Sequence, residues 1–348
     1  MDFRSDNVGA VAPEIMDAMM RANEGTAGAY GGDDLTQKLD DRFSELFGTE
    51  VRVFPALTGT AANAITLSAL SPPYGSIFCG EHSHIATDEC GAPELMTGGA
   101  KLMPIAGDNA KVPPDALAEA IARAGTGFVH CSQPAAFSLT QATEMGAIYS
   151  VDEVAKLADV AKQQGLAVHM DGARFANAVS TLGVHPGDLT WRAGVDALSF
   201  GATKNGAMAA EAIVLFRTDV ADDLAFRHKR AGQLLSKMRF IAAQLLAYID
   251  DGLWLDLAGR ANGKAQRLTD GFAAMSGAKL EGTGEANEVF VTLPGPVIDG
   301  LKAAGAQFYG WPEPWEATNT IRLVTRWDTT DGEVDGVLAQ TSALLAQS

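Results

Sequence analysis

Apolar residues recur along this chain with two alternating periods. Across 34–47, Leu35, Leu39, Phe43, Leu46 and Phe47 fall on one helical face, and Gly48 supplies a stop. The stretch 51–54 reads as a short strand, Thr58-Gly59-Thr60 as a turn, and 61–70 as a helix. Strands are expected at 76–79, 101–105 and 127–132, with a helix from Pro114 to about residue 123. The alternation then becomes regular. A helix over 152–164 precedes an apolar strand, 166–170, which ends at Asp171. A second apolar strand, 196–200, ends in GATKNG, and a third covers 211–216. Strands apolar throughout, alternating with helices, predict an α/β fold: a mostly parallel central sheet with helices on both faces.

The pattern changes after residue 218. The chain is largely helical to about residue 275. The stretches 288–293 and 320–325 then alternate like half-exposed strands, with a helix at 297–304 between them and a last helix at 331–346. Two domains are expected: 1–259, a large α/β domain that includes the N-terminal segment, and 260–348, a small α+β domain. The length of 348 residues suits this division, and 47% hydrophobic content supplies a sizeable core.

Charge narrows the partners. With 26 basic against 43 acidic residues, the formal charge is −17. An acidic surface argues against nonspecific binding to nucleic acid or anionic membrane, though a local pocket can still oppose the global sign. Apolar runs fall short of the roughly 20 residues of a membrane span. MDFRSDNV lacks a charged-then-apolar leader pattern. The expectation is a cytoplasmic protein with no membrane or nucleic-acid partner. Cys79, Cys90 and Cys131 form no Cys-x-x-Cys pair and read as reduced, structural thiols.

Four segments could carry chemistry. Lys204, among small residues after a buried strand, is either a solvated loop lysine or a desolvated, nucleophilic amine. Asp171, at a strand end, is either a helix N-cap or the partner of a protonated ring nitrogen. Thr58-Gly59-Thr60 with Asn63 is either a routine capping turn or a phosphate cradle at a helix start. His84 is either a polar loop residue or a ring that stacks on a cofactor and moves a proton. His82-x-His84 spacing alone would suit a metal, but no third ligand is in view. Arg174 and Arg322 are suited to a substrate carboxylate. Arg322 lies in an apolar strand, where it points either inward, needing a partner, or outward.

Together the segments FRSDN (3–7), AYGGDD (29–34), LTGTAANA (57–64), HIATDECGAPE (84–94), LTQATEMG (139–146), HMDGARFANA (169–178), FGATKNG (200–206), AGQLLSKMRF (231–240) and IRLVTRWDT (321–329) closely resemble the low-specificity L-threonine aldolases. These include the β-hydroxy-α-amino-acid aldolases active on phenylserine-type substrates. The resemblance covers essentially the whole chain. It implies an aspartate-aminotransferase-like fold (fold type I) that binds pyridoxal 5'-phosphate. It also implies a homotetramer or homodimer with shared active sites. By matched position, Lys204 would carry the cofactor as a Schiff base, and Asp171 would pair with the pyridine nitrogen. Thr58, Gly59 and Thr60 would hold the phosphate, and His84 would stack on the ring. Ser5, Arg174 and Arg322 would bind the substrate carboxylate; some relatives are activated by metal, but the residues of this chain offer no ligand set for one. Many members carry Glu-Asn-Thr-His after the strand expected at 127–131. This chain has Ser132-Gln133-Pro134-Ala135 there, so a second active-site histidine is missing. His84 or a bound water is then left to deprotonate the β-hydroxyl. Gln141 is nearby in sequence. A β-eliminating lyase or aminotransferase would use the same lysine, aspartate and phosphate loop. A non-catalytic cofactor binder would not need the carboxylate-binding set.

Overall fold

The computed structural model describes residues 1–311 and 318–347. Seven strands form the central sheet: β1 (Arg52–Ala56), β2 (Gly75–Gly80), β3 (Lys101–Ile105), β4 (Gln133–Thr140), β5 (Ala167–Gly172), β6 (Ala197–Gly201) and β7 (Glu211–Leu215). Their order is β1-β7-β6-β5-β4-β2-β3. The five strands from β6 to β3 run parallel; β7 runs against them, and the edge strand β1, antiparallel to β7, runs with them. The strands β2, β5, β6 and β7 are buried along their whole length, as their unbroken apolar runs require when helices cover both faces.

The helix Gly59–Leu70 covers one face at the centre of this sheet. It is buried almost all round, so its polar side chains are satisfied locally: Thr66 Oγ1 donates to the Ala62 carbonyl at 2.7 Å, and Ser68 Oγ to that of Ile65 at 2.7 Å. The other face holds the larger core. There Phe43, Phe47, Phe175, Phe200, Tyr248 and Trp254 pack ring to ring with centroids 5.4–6.4 Å apart where adjacent. The helix Val151–Gln163 starts with a reciprocal cap between Ser150 and Glu153.

A second, antiparallel sheet has the order β10-β11-β9-β8, with β8 (Lys279–Glu281), β9 (Glu288–Thr292), β10 (Tyr309–Gly310) and β11 (Thr320–Val324). Its own core includes Val289, Val291, Leu323 and Val337. The long helix Leu253–Ala273 crosses the expected division at residue 260. Trp254, Leu257 and Ala258 join the large core, while Ala265, Leu268 and Phe272 join the small one. The N-terminal segment also reaches the small sheet. Phe3 is fully buried there, its N–H donates to Gln307, and its carbonyl accepts from Val324.

One expected strand is corrected. Residues 127–132 form a turn, and the strand is Gln133–Thr140. Gly125 and Gly127 adopt φ of 74° and 79°, which an extended strand excludes. The Gln133 side chain closes the loop, accepting from Gly127 N–H at 2.7 Å and donating to the carbonyls of Phe128 and Cys131. Phe128 and Val129, whose apolar character suggested a strand, are exposed. Ser132–Ala135 therefore lies at the start of β4, and residues 140–144 follow its carboxyl end. That segment, Thr-Gln-Ala-Thr-Glu, also contains no histidine.

Candidate active site

The carboxyl ends of the parallel strands and the start of the helix Gly59–Leu70 enclose a cavity of about 270 Å³. Thr58 caps the helix, its Oγ1 accepting from Ala61 N–H at 3.1 Å. The N–H groups of Gly59 and Thr60 have no intrahelical partner and line the cavity, with open space where a Gly59 Cβ would stand. Leu57 N–H donates to Gln233 Oε1 at 2.9 Å, which pins the turn to the segment 231–240.

Asp171 ends β5 and is buried. Its Oδ1 accepts from Ala173 N–H at 3.0 Å and its Oδ2 from Asn63 Nδ2 at 2.8 Å. The following helix, Phe175–Leu182, is capped by Arg174, so Asp171 is not its N-cap. Asn63 Nδ2 also donates to Glu89 Oε1 at 2.8 Å, and that oxygen lies 2.9 Å from His84 Nδ1. His84, Glu89, Asn63 and Asp171 thus form one chain of polar contacts. The hydrogen bond that the protonated ring donates to Glu89 raises the His84 pKa against the effect of burial. Gly172 and Gly201 let the backbones meet here: a Cβ at Gly201 would stand 2.6 Å from the Ala173 carbonyl oxygen.

Lys204 sits in the single turn Thr203–Asn205 after β6. The turn is held from below. Asn205 Nδ2 donates to Tyr248 Oη at 2.7 Å and to the Trp254 carbonyl at 2.8 Å, while Gln244 Oε1 accepts from Met208 and Ala209 N–H. Burial, and then Arg174, hold the Lys204 pKa below its usual value, although Asp6 and Asp171 oppose them.

A second cavity adjoins the first. Ser5, His84, Arg174, Lys204, Glu288 and Arg322 are among the residues around it. Arg174 Nη2 lies 2.6 Å from Asp6 Oδ2, and its Nη1 lies 3.1 Å from Glu288 Oε2. Arg322 points inward. It reaches Glu288 Oε1 at 3.9 Å and the Arg4 carbonyl at 3.4 Å, beside the rings of Tyr309 and Trp311. Ser5 caps the turn Asp6–Val8, accepting from Asn7 N–H at 3.2 Å. All the residues expected at the site from sequence therefore border these two cavities.

Besides Glu89, the sequence reading missed four acids around the site. Glu144, after β4, accepts from His84 N–H at 3.0 Å, and burial pushes its carboxyl up to about 7. Glu211, opening β7, accepts from Ala202 N–H at 3.1 Å and is likewise pushed up to about 7 by burial. Glu288 opens β9, and burial raises its pKa against Arg174 and Arg322. Burial works to raise Asp6 too, but Arg174 and Lys204 outweigh it and lower its pKa. The available signal was an acid placed at the head of an apolar strand, as in EAIVLF and EVFVTL. Gln141 turns away: its side chain makes a closed pair with the Tyr149 backbone. His169, near Asp171 in sequence, is buried between Ser138 Oγ and Ser199 Oγ, and burial lowers its pKa to about 4. Among the described residues, no group of three or more His, Cys, Asp or Glu is arranged to hold a metal ion. No described helix is long and apolar enough to cross a membrane.

The beta-eliminating lyase family model matches residues 2–294. The chain is 40% identical over 344 residues to the low specificity L-threonine aldolase of Pseudomonas sp. (strain NCIMB 10558), covering 99% of this chain and 98% of that one. It is 42% identical over 327 residues to the Pseudomonas aeruginosa protein of the same name, covering 94% and 93%. The structure of Leishmania major threonine aldolase superposes with a TM-score of 0.92 at 25% identity, covering 99% of both chains. The chain belongs to the beta-eliminating lyase family and, within it, to the pyridoxal phosphate-dependent low-specificity L-threonine aldolases.

Proposed function

We propose that this protein cleaves L-threonine, L-allo-threonine and related β-hydroxy-α-amino acids, phenylserine among them, to glycine and an aldehyde. The observation that carries this reading is that Lys204, His84 and Arg174 border both cavities at once. A group held in the first cavity would meet a carboxylate held in the second at the lysine amine.

The residues fit pyridoxal phosphate. Lys204 would hold it covalently, since a buried amine of lowered pKa is unprotonated more readily and so more nucleophilic. Asp171 would keep a proton on the pyridine nitrogen, and Asn63 orients that carboxylate. Asn63 Oδ1 is itself buried without a hydrogen-bond partner. Gly59 and Thr60, supported by Thr58, would hold the phosphate at the helix start. When bound, the cofactor supplies the electron sink for the bond that breaks. His84 would lie against the ring. Glu89 engages its Nδ1, leaving Nε2 to accept the β-hydroxyl proton directly or through a water. Ser5, Arg174 and Arg322 would fix the substrate carboxylate and thereby the direction of the Cα–Cβ bond. The absence of a second histidine leaves room for a bulky β-substituent. Residues 1–259 would carry the cofactor and 260–348 would supply Arg322. The same reading makes the protein a cytoplasmic enzyme of amino-acid metabolism, working as a homotetramer or homodimer with shared active sites.

Product analysis tests the proposal. The cofactor-loaded protein is incubated with L-threonine, L-allo-threonine and phenylserine, beside Lys204→Ala. Stoichiometric glycine and aldehyde, absent from the variant, are expected. Ammonia or a keto acid would instead assign a β-eliminating lyase or an aminotransferase. A clear preference for threonine over phenylserine would count against the roomy site.

A further inference from the structure

The second cavity already contains a carboxylate where a substrate carboxylate is expected. Glu288 is fully buried between the two arginines, 3.1 Å from Arg174 and 3.9 Å from Arg322. Asp6 holds the other side of Arg174 at 2.6 Å. With both acids ionised, the two guanidinium charges are balanced before any ligand arrives. A third carboxylate entering this buried cluster would bring an uncompensated negative charge, which a low-dielectric site opposes strongly.

We infer that Glu288 is a substrate-displaced carboxylate: it neutralises Arg174 and Arg322 in the empty site and takes up a proton when a substrate carboxylate binds them. The inference rests on the reading that these arginines receive the substrate carboxylate. Glu288, and not Asp6, takes the proton. Asp6 is hydrogen-bonded by both Arg174 and Asn287, whereas neither Glu288 oxygen receives a hydrogen bond of good geometry. Burial also leaves Glu288 the easier of the two to protonate, and Asp6 the harder. The released arginine faces then meet the incoming anion, and Glu288 becomes a neutral neighbour to it.

Linkage gives the sign. A ligand that raises the pKa of Glu288 binds best where Glu288 is already protonated. Its affinity falls as pH rises from the free-site pKa to the pKa in the complex, by up to about tenfold per pH unit. Other charged groups face Glu288: Asp6 from the N-terminal turn, Arg174 ahead of its helix, Lys204 from its turn and Arg322 from β11. His82, His84, Asp88 and Glu144 border the same cavity. Comparison with Glu288→Gln separates Glu288 from all of these, because the variant retains them.

Propionate is the probe. It is a carboxylate without an amine, and above about pH 6 it is fully ionised. Its binding to the cofactor-loaded protein is followed by calorimetry in buffers of different ionisation heat, from about pH 6 to pH 9. The wild type should take up close to one proton per propionate where affinity falls with pH. Glu288→Gln should bind more tightly at high pH, without proton uptake or pH slope. Binding without proton uptake in the wild type would overturn the inference, and this needs no variant. An unchanged slope in a folded Glu288→Gln would overturn it, as would failure of propionate to bind at any pH. Calorimetry needs no turnover, so threonine cleavage can stand or fall independently.

Discussion

His84 shows how one contact sets the working range of a side chain. Its Nδ1 engages Glu89, a carboxylate shut away from solvent, and the imidazolium form gains from that bond. The pKa of His84 therefore lies above the ordinary histidine value, and the neutral form that can accept a proton appears only above that raised value. The pH profile of kcat/KM should rise through it. In His84→Phe, which preserves a flat ring, the acid limb should move or vanish and the rate should fall about 10²–10⁴-fold; an unchanged limb would remove His84 from proton transfer. Arg322 predicts a different pattern. It lies on the substrate side and does not border the first cavity, so Arg322→Ala should raise KM at least about tenfold while cofactor absorption and affinity stay near wild type. Loss of cofactor in that variant would contradict its place on the substrate side.

At the scale of elements, the site is built from ends. The helix Gly59–Leu70 contributes its first turn, β5 and β6 their last residues, and the turn Thr203–Asn205 its Lys204 amine. Thr58→Ala removes the cap and should cost about 1 kcal/mol of stability, read by denaturant unfolding of the cofactor-free protein. Cofactor affinity should fall as well, because the donors of Gly59 and Thr60 are positioned by that turn. The parts of this architecture with strong local patterns were readable in the sequence. Buried strands such as Ala197–Gly201 are almost wholly apolar, Asp171 lies at the end of one, and Lys204 comes three residues after another. The strand Gln133–Thr140 was misplaced because Phe128 and Val129 imitate a strand. Two left-handed glycines and the Gln133 side chain, acting across the loop, decide otherwise. The helix Pro13–Ala22 was passed over, although it opens with proline at its first position and buries Ile15 and Ala18. The ion cluster was legible only in part: Arg174 and Arg322 are expected together at the substrate carboxylate, but nothing in the sequence sets Asp6 and Glu288 against them. Asp6, Arg174, Glu288 and Arg322 come from four distant segments, and only the tertiary fold brings them together.

The whole molecule carries a formal charge of −17, and several of its ionisable groups are buried, Glu144, Glu211 and His169 among them. His169 is one that acid can expose. It is held neutral between two serine hydroxyls, with a folded pKa of about 4 against 6.5 for an ordinary histidine. Between those values the unfolded chain binds the extra proton and the folded chain does not. The contribution of His169 to stability should therefore be fully present above about pH 6.5 and be lost as pH falls toward 4, by an amount on the order of 3 kcal/mol, while Glu144 and Glu211, whose carboxyls burial pushes up to about 7, act in the opposite direction. Unfolding midpoints measured across that interval, for the wild type and for His169→Gln, check it. The wild type should lose more stability than the variant as pH falls, and identical slopes would assign acid sensitivity elsewhere.

The N-terminal strap has a consequence for how the molecule is made. Phe3 is bonded to Gln307 and Val324, and it brings Ser5 and Asp6 to Arg174. A ribosome releases these residues well before β11, so this segment must wait, unplaced, while the large sheet is made. The large sheet can assemble meanwhile, yet the carboxylate-binding half of the pocket cannot close until the final strand has emerged. A chain stopped short of β11 would be left with a lysine in position and nothing to orient its substrate.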